Sequence, residues 1–165
     1  MAGKVIGKTL SYGYRGNISR VADTVIMAYP AKGRIEFGAP VVLNDDNTVS
    51  PVTASATEPR IIGFAVREVM QPKENNMEGW YYKDGDTVDV MVRGTMTVEV
   101  AGDAAPSAMG AVYVRKATGE IVAVEENDGE SSPNVTTLKL SNAIFPTGKK
   151  DADGIVEITL TERKI

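Results

Sequence analysis

The sequence predicts an all-β fold: a single β-barrel or jelly-roll-like sandwich with an extended N-terminal arm and little or no helix. Three observations carry this. The first is Val88-Asp-Val-Met-Val-Arg-Gly-Thr-Met-Thr-Val-Glu-Val100, in which Val88, Val90 and Val92, then Met96, Val98 and Val100, alternate with other residues. A period of two marks strands with one face buried. The second is the recurrence of turn signals at spacings of about 8–12 residues, which bounds roughly nine to eleven short strands. The third is the lack of a substantial amphipathic helix: the best candidates, Arg20–Met27 and Ala104–Gly110, are short and interrupted.

Residues 1–33 are expected to form the arm and residues 34–165 the barrel or sandwich domain. The stretch Ser11-Tyr-Gly-Tyr-Arg-Gly-Asn-Ile-Ser-Arg20 is broken by glycines at 13 and 16. Tyr12, Tyr14, Ile18, Val25, Ile26 and Tyr29 make the arm too apolar for a free tail. They must bury against the domain's own body or against a neighbouring chain.

Ile35–Leu43, the polar turn Asn44-Asp-Asp-Asn47 and Thr48–Thr53 read as a hairpin. Arg60–Val69 reads as a strand with a glycine near its middle, and Met70–Gly79 as a long exposed loop. Trp80-Tyr-Tyr82 follows, either capping the barrel or forming a contact surface. Asp84-Gly85 turns into the Val88 strand. Within that strand Gly94 predicts a bulge, a bend or a close backbone approach, and the core reading leaves the charge of Arg93 unexplained. Ala101–Gly110 reads as a linker, Ala111–Arg115 and Glu120–Glu125 as paired strands about a Lys116–Gly119 turn, and Glu126–Asn134 as a turn-rich segment. Val135–Leu140 is a strand, Ser141–Gly148 an irregular segment, Lys149–Gly154 a turn and Ile155–Thr161 the closing strand.

Composition excludes several chemistries. The 165 residues include no cysteine and no histidine. That removes disulfides, thiolate zinc sites, cysteine nucleophiles and the commonest general base and metal ligand. A chain of this size buries roughly 70% of its unfolded surface and needs no staple. Net charge is −4 with both signs dispersed, so neither a nucleic-acid-binding block nor an acidic tail is present. No run of about 18 apolar residues is long enough to cross a membrane as a helix, and the first ten residues lack the apolar core of a secretory signal. Folding in a cytoplasm is therefore expected.

Candidate sites are few. Asp151-Ala-Asp-Gly154 opens like a calcium loop, but its glycine follows the second Asp directly and Leu160 stands where the closing glutamate belongs. A turn is the better reading. Nothing selects a glycosidase-like carboxylate pair, and Gly13–Gly16 lacks the Lys-Ser or Lys-Thr of a phosphate loop. No catalytic residue, cofactor or metal is expected. Arg15 and Arg20, interleaved with Tyr12 and Tyr14, suit a protein partner better than nucleic acid in an acidic chain.

The order of several segments resembles the structural cement (capsid decoration) proteins of tailed bacteriophages. The matching pieces are Tyr12-Gly-Tyr-Arg-Gly-Asn-Ile-Ser-Arg20, Asp23-Thr-Val-Ile26, Phe37–Leu43, Ile62–Val69, Tyr82–Asp86, Val88–Val98, Gly110–Val114, Thr147–Gly154 and Val156–Ile158. The resemblance implies a virion structural protein, not an enzyme. Such proteins bind the outer capsid surface where major capsid protein subunits meet, usually as small symmetric oligomers, here a dimer or a trimer. It also implies synthesis in the bacterial host cytoplasm, without a nucleic-acid or membrane partner. Candidate capsid or subunit contacts are Tyr12, Tyr14, Arg15, Ile18, Arg20, Tyr29, Trp80 and Tyr81. The alternative is a carbohydrate- or receptor-binding β-domain on a virion surface, with Trp80, Tyr81 and Tyr82 as a stacking platform.

Overall fold

The computed structural model describes residues 11–68, 81–126 and 136–164. The expected Met70–Gly79 loop, Trp80 and most of the Glu126–Asn134 turn lie outside these residues. Among the described residues eleven strands follow one another: β1 (Ile18–Pro30), β2 (Ile35–Glu36), β3 (Pro40–Leu43), β4 (Val49–Pro51), β5 (Ile61–Ala65), β6 (Tyr81–Tyr82), β7 (Thr87–Glu99), β8 (Gly110–Arg115), β9 (Ile121–Val122), β10 (Thr137–Phe145) and β11 (Ile155–Leu160). One turn of 3-10 helix, Glu58–Arg60, is the only helical element among the described residues. The fold is all-β, built on a curled half-barrel sheet.

Strand β7 organises that sheet. The antiparallel strand β1 runs along one edge of it, from Ile18 opposite Met96 to Pro30 opposite Thr87. The other edge is shared. β5 pairs with the first half, Phe64 opposite Met91, and β11 with the second half, Leu160 opposite Gly94 through Ile155 opposite Glu99. From β5 the sheet continues to β3 and β4, and from β11 to β10, β8 and β9. The small β2–β6 pair stands apart.

This fork gives the chain two hydrophobic cores, where the period-two pattern suggests one. Val88, Val90 and Val92 pack with Ile35, Phe37, Val41 and Tyr82. Met96, Val98 and Val100 pack instead with Val112, Val114, Phe145, Val156 and Ile158, and Met91 joins them. Even-numbered residues therefore face one core before Gly94 and the other after it. Gly94, at φ +124°, is where the strand exchanges its faces. That backbone angle is open to glycine and strained for other residues.

The same glycine permits a close approach. A Cβ there would lie 2.8 Å from Thr24 Oγ1 and 3.1 Å from Thr24 Cα. In β1, Arg20 pairs with Thr95 and Val25 with Arg93, so residues 21–24 all bulge out opposite the single Gly94. Asp23 takes a left-handed φ of 64° in this bulge, and Thr24 Oγ1 donates to the Arg20 carbonyl at 2.8 Å. The unexplained charge of Arg93 has its reason here: the guanidinium pairs with the Asp23 carboxylate at 2.8 Å and pins the bulge to β7.

The hairpin expected around Asn44–Asn47 is β3–β4, with Val41 opposite Pro51 and Leu43 opposite Val49. Asn47 supplies its left-handed residue at φ 60°. Hydrogen bonds from the Thr48 hydroxyl and amide, then from Lys32, hold the Asp46 carboxyl down at about 2. The segment expected to be irregular after Leu140 is corrected: β10 continues through Phe145, with its register against β8 slipping between Lys139 and Ile144. The polar pair Ser141-Asn142 disguised it. Asn142 is buried, and its side-chain amide donates to the Glu162 carbonyl at 2.9 Å.

Candidate interaction surface

Residues 11–17 are strapped onto the domain's own body. Gly16 N–H donates to the Thr97 carbonyl at 2.7 Å, Thr97 N–H to the Asn17 carbonyl at 2.9 Å, and Arg67 N–H to the Gly16 carbonyl at 2.8 Å. The buried Thr97 hydroxyl donates to the Tyr14 carbonyl at 2.6 Å. The strap passes so close that a Cβ on Gly16 would sit 2.9 Å from the Arg67 amide nitrogen. At its start, Asp151 accepts from Ser11 Oγ and Tyr12 N–H as well as from the Asp153 and Ile155 amides of its own turn. Burial pushes the Asp151 carboxyl up, but these hydrogen bonds outweigh it and hold the group below its ordinary value. The carboxylate that resembled a calcium ligand is occupied in joining the strap to the 151–154 turn.

The eight candidate contact residues divide. Tyr12 is half-buried, its hydroxyl 3.5 Å from Thr147 Oγ1. Arg15 bridges Glu36 at 2.7 Å and Glu99 at 3.2 Å, so its charge is answered within the chain. Tyr29 is half-buried against the smaller core, where burial raises its phenol pKa. Tyr81 is half-buried, with the Arg34 guanidinium 3.7 Å from its ring centroid. Trp80 lies outside the described residues. Tyr14, Ile18 and Arg20 remain outward: Tyr14 is 56% exposed, and Arg20 lies 3.8 Å from the Glu157 carboxylate.

Burial corrects the stacking platform. Tyr82 is only 2% exposed. Its ring meets Phe37 edge-on at 5.1 Å and its hydroxyl donates to the Val66 carbonyl at 2.7 Å. A buried ring packed at right angles to Phe37, with its hydroxyl bonded, is core, and the platform loses its third aromatic. Desolvation raises the Tyr82 phenol from 10.0 to about 12. A raised folded-state value means that its stability contribution is complete below the unfolded value of 10.0 and is lost as pH climbs toward about 12. Tyr82→Phe is therefore expected to cost about 1 kcal/mol near neutral pH, through the stranded Val66 carbonyl. It should also flatten the loss of stability in that alkaline window. Urea denaturation at a series of pH values checks both, and equal alkaline slopes in the two proteins would contradict the assignment.

Two further residues complete the exposed apolar strip: Val21, missed in sequence and 84% exposed on the β1 bulge, and Ile26, read there only as an apolar residue of the arm and 38% exposed. Six large hydrophobic side chains are exposed among the described residues, and four of them, Tyr14, Ile18, Val21 and Ile26, belong to one N-terminal segment. The available signal was the glycine at 94, which requires close approach by some other strand but does not say which.

A family model described as "Structural cement protein (E217 gp24/Pam3 gp6)" matches residues 3–161. No curated protein matches the chain. Among solved structures, a chain of one titled "The capsid of Myoviridae Phage XM1" shares the fold, with a TM-score of 0.73 and 21% identity over 99% of both chains. With nearly the whole length covered by one family model, the chain belongs to the structural cement protein family and has a cement or decoration role in a phage virion.

Proposed function

We propose that the protein binds the outer capsid surface where major capsid protein subunits meet, and clamps the shell there as a dimer or trimer assembled in the host cytoplasm. The N-terminal segment, within residues 1–33, would make the attachment, and the body from residue 34 onward would be its scaffold. The observation that carries this reading is the clustering of exposed apolar side chains on a segment braced by its own strap and bulge. Interface centres are apolar and poor in charge, and a braced segment loses little entropy on docking. The role requires no catalysis, nucleic acid or membrane.

Capsids assembled without the protein test this. Adding the purified protein should decorate them to saturation and raise the temperature at which they rupture. Saturable binding that leaves the rupture temperature unchanged, or no binding at all, would reject the clamp.

A further inference from the structure

We propose that the outer edge of β1, over Val25–Pro30 with the Val21 bulge beside it, takes an extended segment of the major capsid protein as an added strand. This deepens the reading above and rests on it.

The register shows which edge is open. Asp89, on β7, gives its carbonyl to Val66 N–H on the β5 side, and Asp86 gives its carbonyl to Ala31 N–H. In an antiparallel ladder the bonding direction alternates. Val88 and Val90 therefore bond toward β1, to their partners Tyr29 and Met27. The N–H and C=O groups of Ile26 and Ala28 then point away from β7, and β1 pairs with no other strand among the described residues. A free strand edge is a template for another chain, and proteins that leave one open guard it with charge. Here the charged guard is missing, while the bulge and Pro30, which also protect edges, bound the open stretch at its two ends. Arg20 and Asp23 are the charged residues of Ile18–Pro30, and each is answered by an ion pair, with Glu157 and Arg93. An uncharged edge flanked by Val21 and Ile26 suits a protein that functions covered.

A second copy fits this edge less well than a shell subunit. Antiparallel pairing of β1 with itself, centred on Met27, would meet the bulge on one side and Pro30, which has no N–H, on the other. The ladder left between them is short, against the roughly 800 Å² per partner that a standard interface buries. A longer capsid segment could follow the edge and then cover Val21, Ile18 and Tyr14. Strand addition of this kind draws affinity from main-chain hydrogen bonds and specificity from flanking side chains.

The test uses the full chain and capsids lacking it. Val21→Asp and Ile26→Lys change exposed side chains, with Val124→Asp, at a 48% exposed valine beyond β9, as control. Circular dichroism melts establish that all three are folded. The proposal expects the two β1 variants to bind capsids at least about tenfold more weakly, as loss of a central contact does, and the control to bind like the parent. Hydrogen exchange on the parent supplies a reading independent of mutation: the Ile26 and Ala28 amides should become protected on the capsid. Parent-like binding by both variants, with these amides still exchanging, overturns the inference while leaving the cement reading intact. Failure of the parent itself to bind overturns both. If the variants instead dissociate a parent oligomer in solution, the occupant is a second copy and the capsid assignment is wrong.

Discussion

Val98→Asp is expected to lower the stability of the protein by about 3–5 kcal/mol. Val98 is fully buried, and its cross-strand partner Val156 is too. It lies in the larger core with Met96, Val112, Phe145 and Ile158. A carboxylate there has no cation or donor in the core cluster to answer it, so it must either stay charged at high cost or take up a proton and remain an unsatisfied polar group. Leaving a buried charge uncompensated costs about 3–5 kcal/mol, a large part of the roughly 5–15 kcal/mol available to a domain. Val21→Asp makes the same chemical change at an 84% exposed site and should stay within about 0.5 kcal/mol of the parent. Urea titrations of the two variants measure the contrast, and similar midpoints would mean that the larger core is not the stabilising one.

Gly63→Ala should be nearly as damaging, though it adds a single methyl group. Its backbone is not in the left-handed region, so alanine meets no conformational penalty there. The obstacle is the neighbour: a Cβ on Gly63 would overlap the Met91 carbonyl oxygen and stand 2.9 Å from its carbon. That obstacle is backbone and cannot rotate away. β5 would have to withdraw from β7, breaking the Phe64–Met91 and Ala65–Val90 pairing that ties the smaller branch of the sheet to the larger. Overpacking of this kind costs about 1–3 kcal/mol where side chains can yield, and more where they cannot. We expect a loss of about 3 kcal/mol. Gly85→Ala makes the comparison: nothing lies within 4 Å of a Cβ there, but φ is +83°, so the cost should be the conformational one of about 1–2 kcal/mol. If Gly85→Ala proved the more destabilising in thermal melts, backbone conformation rather than strand contact would govern these glycines.

Much of the fold could be read from local pattern. The β3–β4 hairpin follows from Asn44-Asp-Asp-Asn47, and the turn into β7 from Asp84-Gly85, because turn chemistry acts over four residues and needs no distant partner. The final strand Ile155–Leu160 was legible for the same reason: alternation bounded by a turn. β10 was only half legible. Ser141 and Asn142 look like the end of a strand, and only the Glu162 carbonyl, brought back by β11, satisfies the buried Asn142 amide.

The proposed attachment surface divides in the same way. Composition picked out the N-terminal segment, since tyrosines and arginines among glycines mark contact rather than chemistry. It did not separate side chains that brace the segment from those that face outward. Arg15 and Tyr12 look equivalent to Arg20 and Tyr14 in sequence, yet Arg15 spans Glu36 and Glu99 while Tyr12 docks beside Asp151 and Thr147. Those partners lie between 21 and 139 residues away along the chain, far beyond the reach of a local pattern.

By itself the sequence determined that the protein is all-β, lacks cysteine and histidine chemistry and pivots on Val88–Val100. Each of these is a matter of composition or period. Only the tertiary structure decided that β7 serves two cores and that Gly94 exchanges its faces. It also decided that the residues opposite Gly94 are pushed out as a bulge with Val21 at the surface. Alternation along a strand states that every second side chain is buried, but which core receives it depends on the strand across the way. That pairing was settled by β1, β5 and β11 competing for the two edges of one strand.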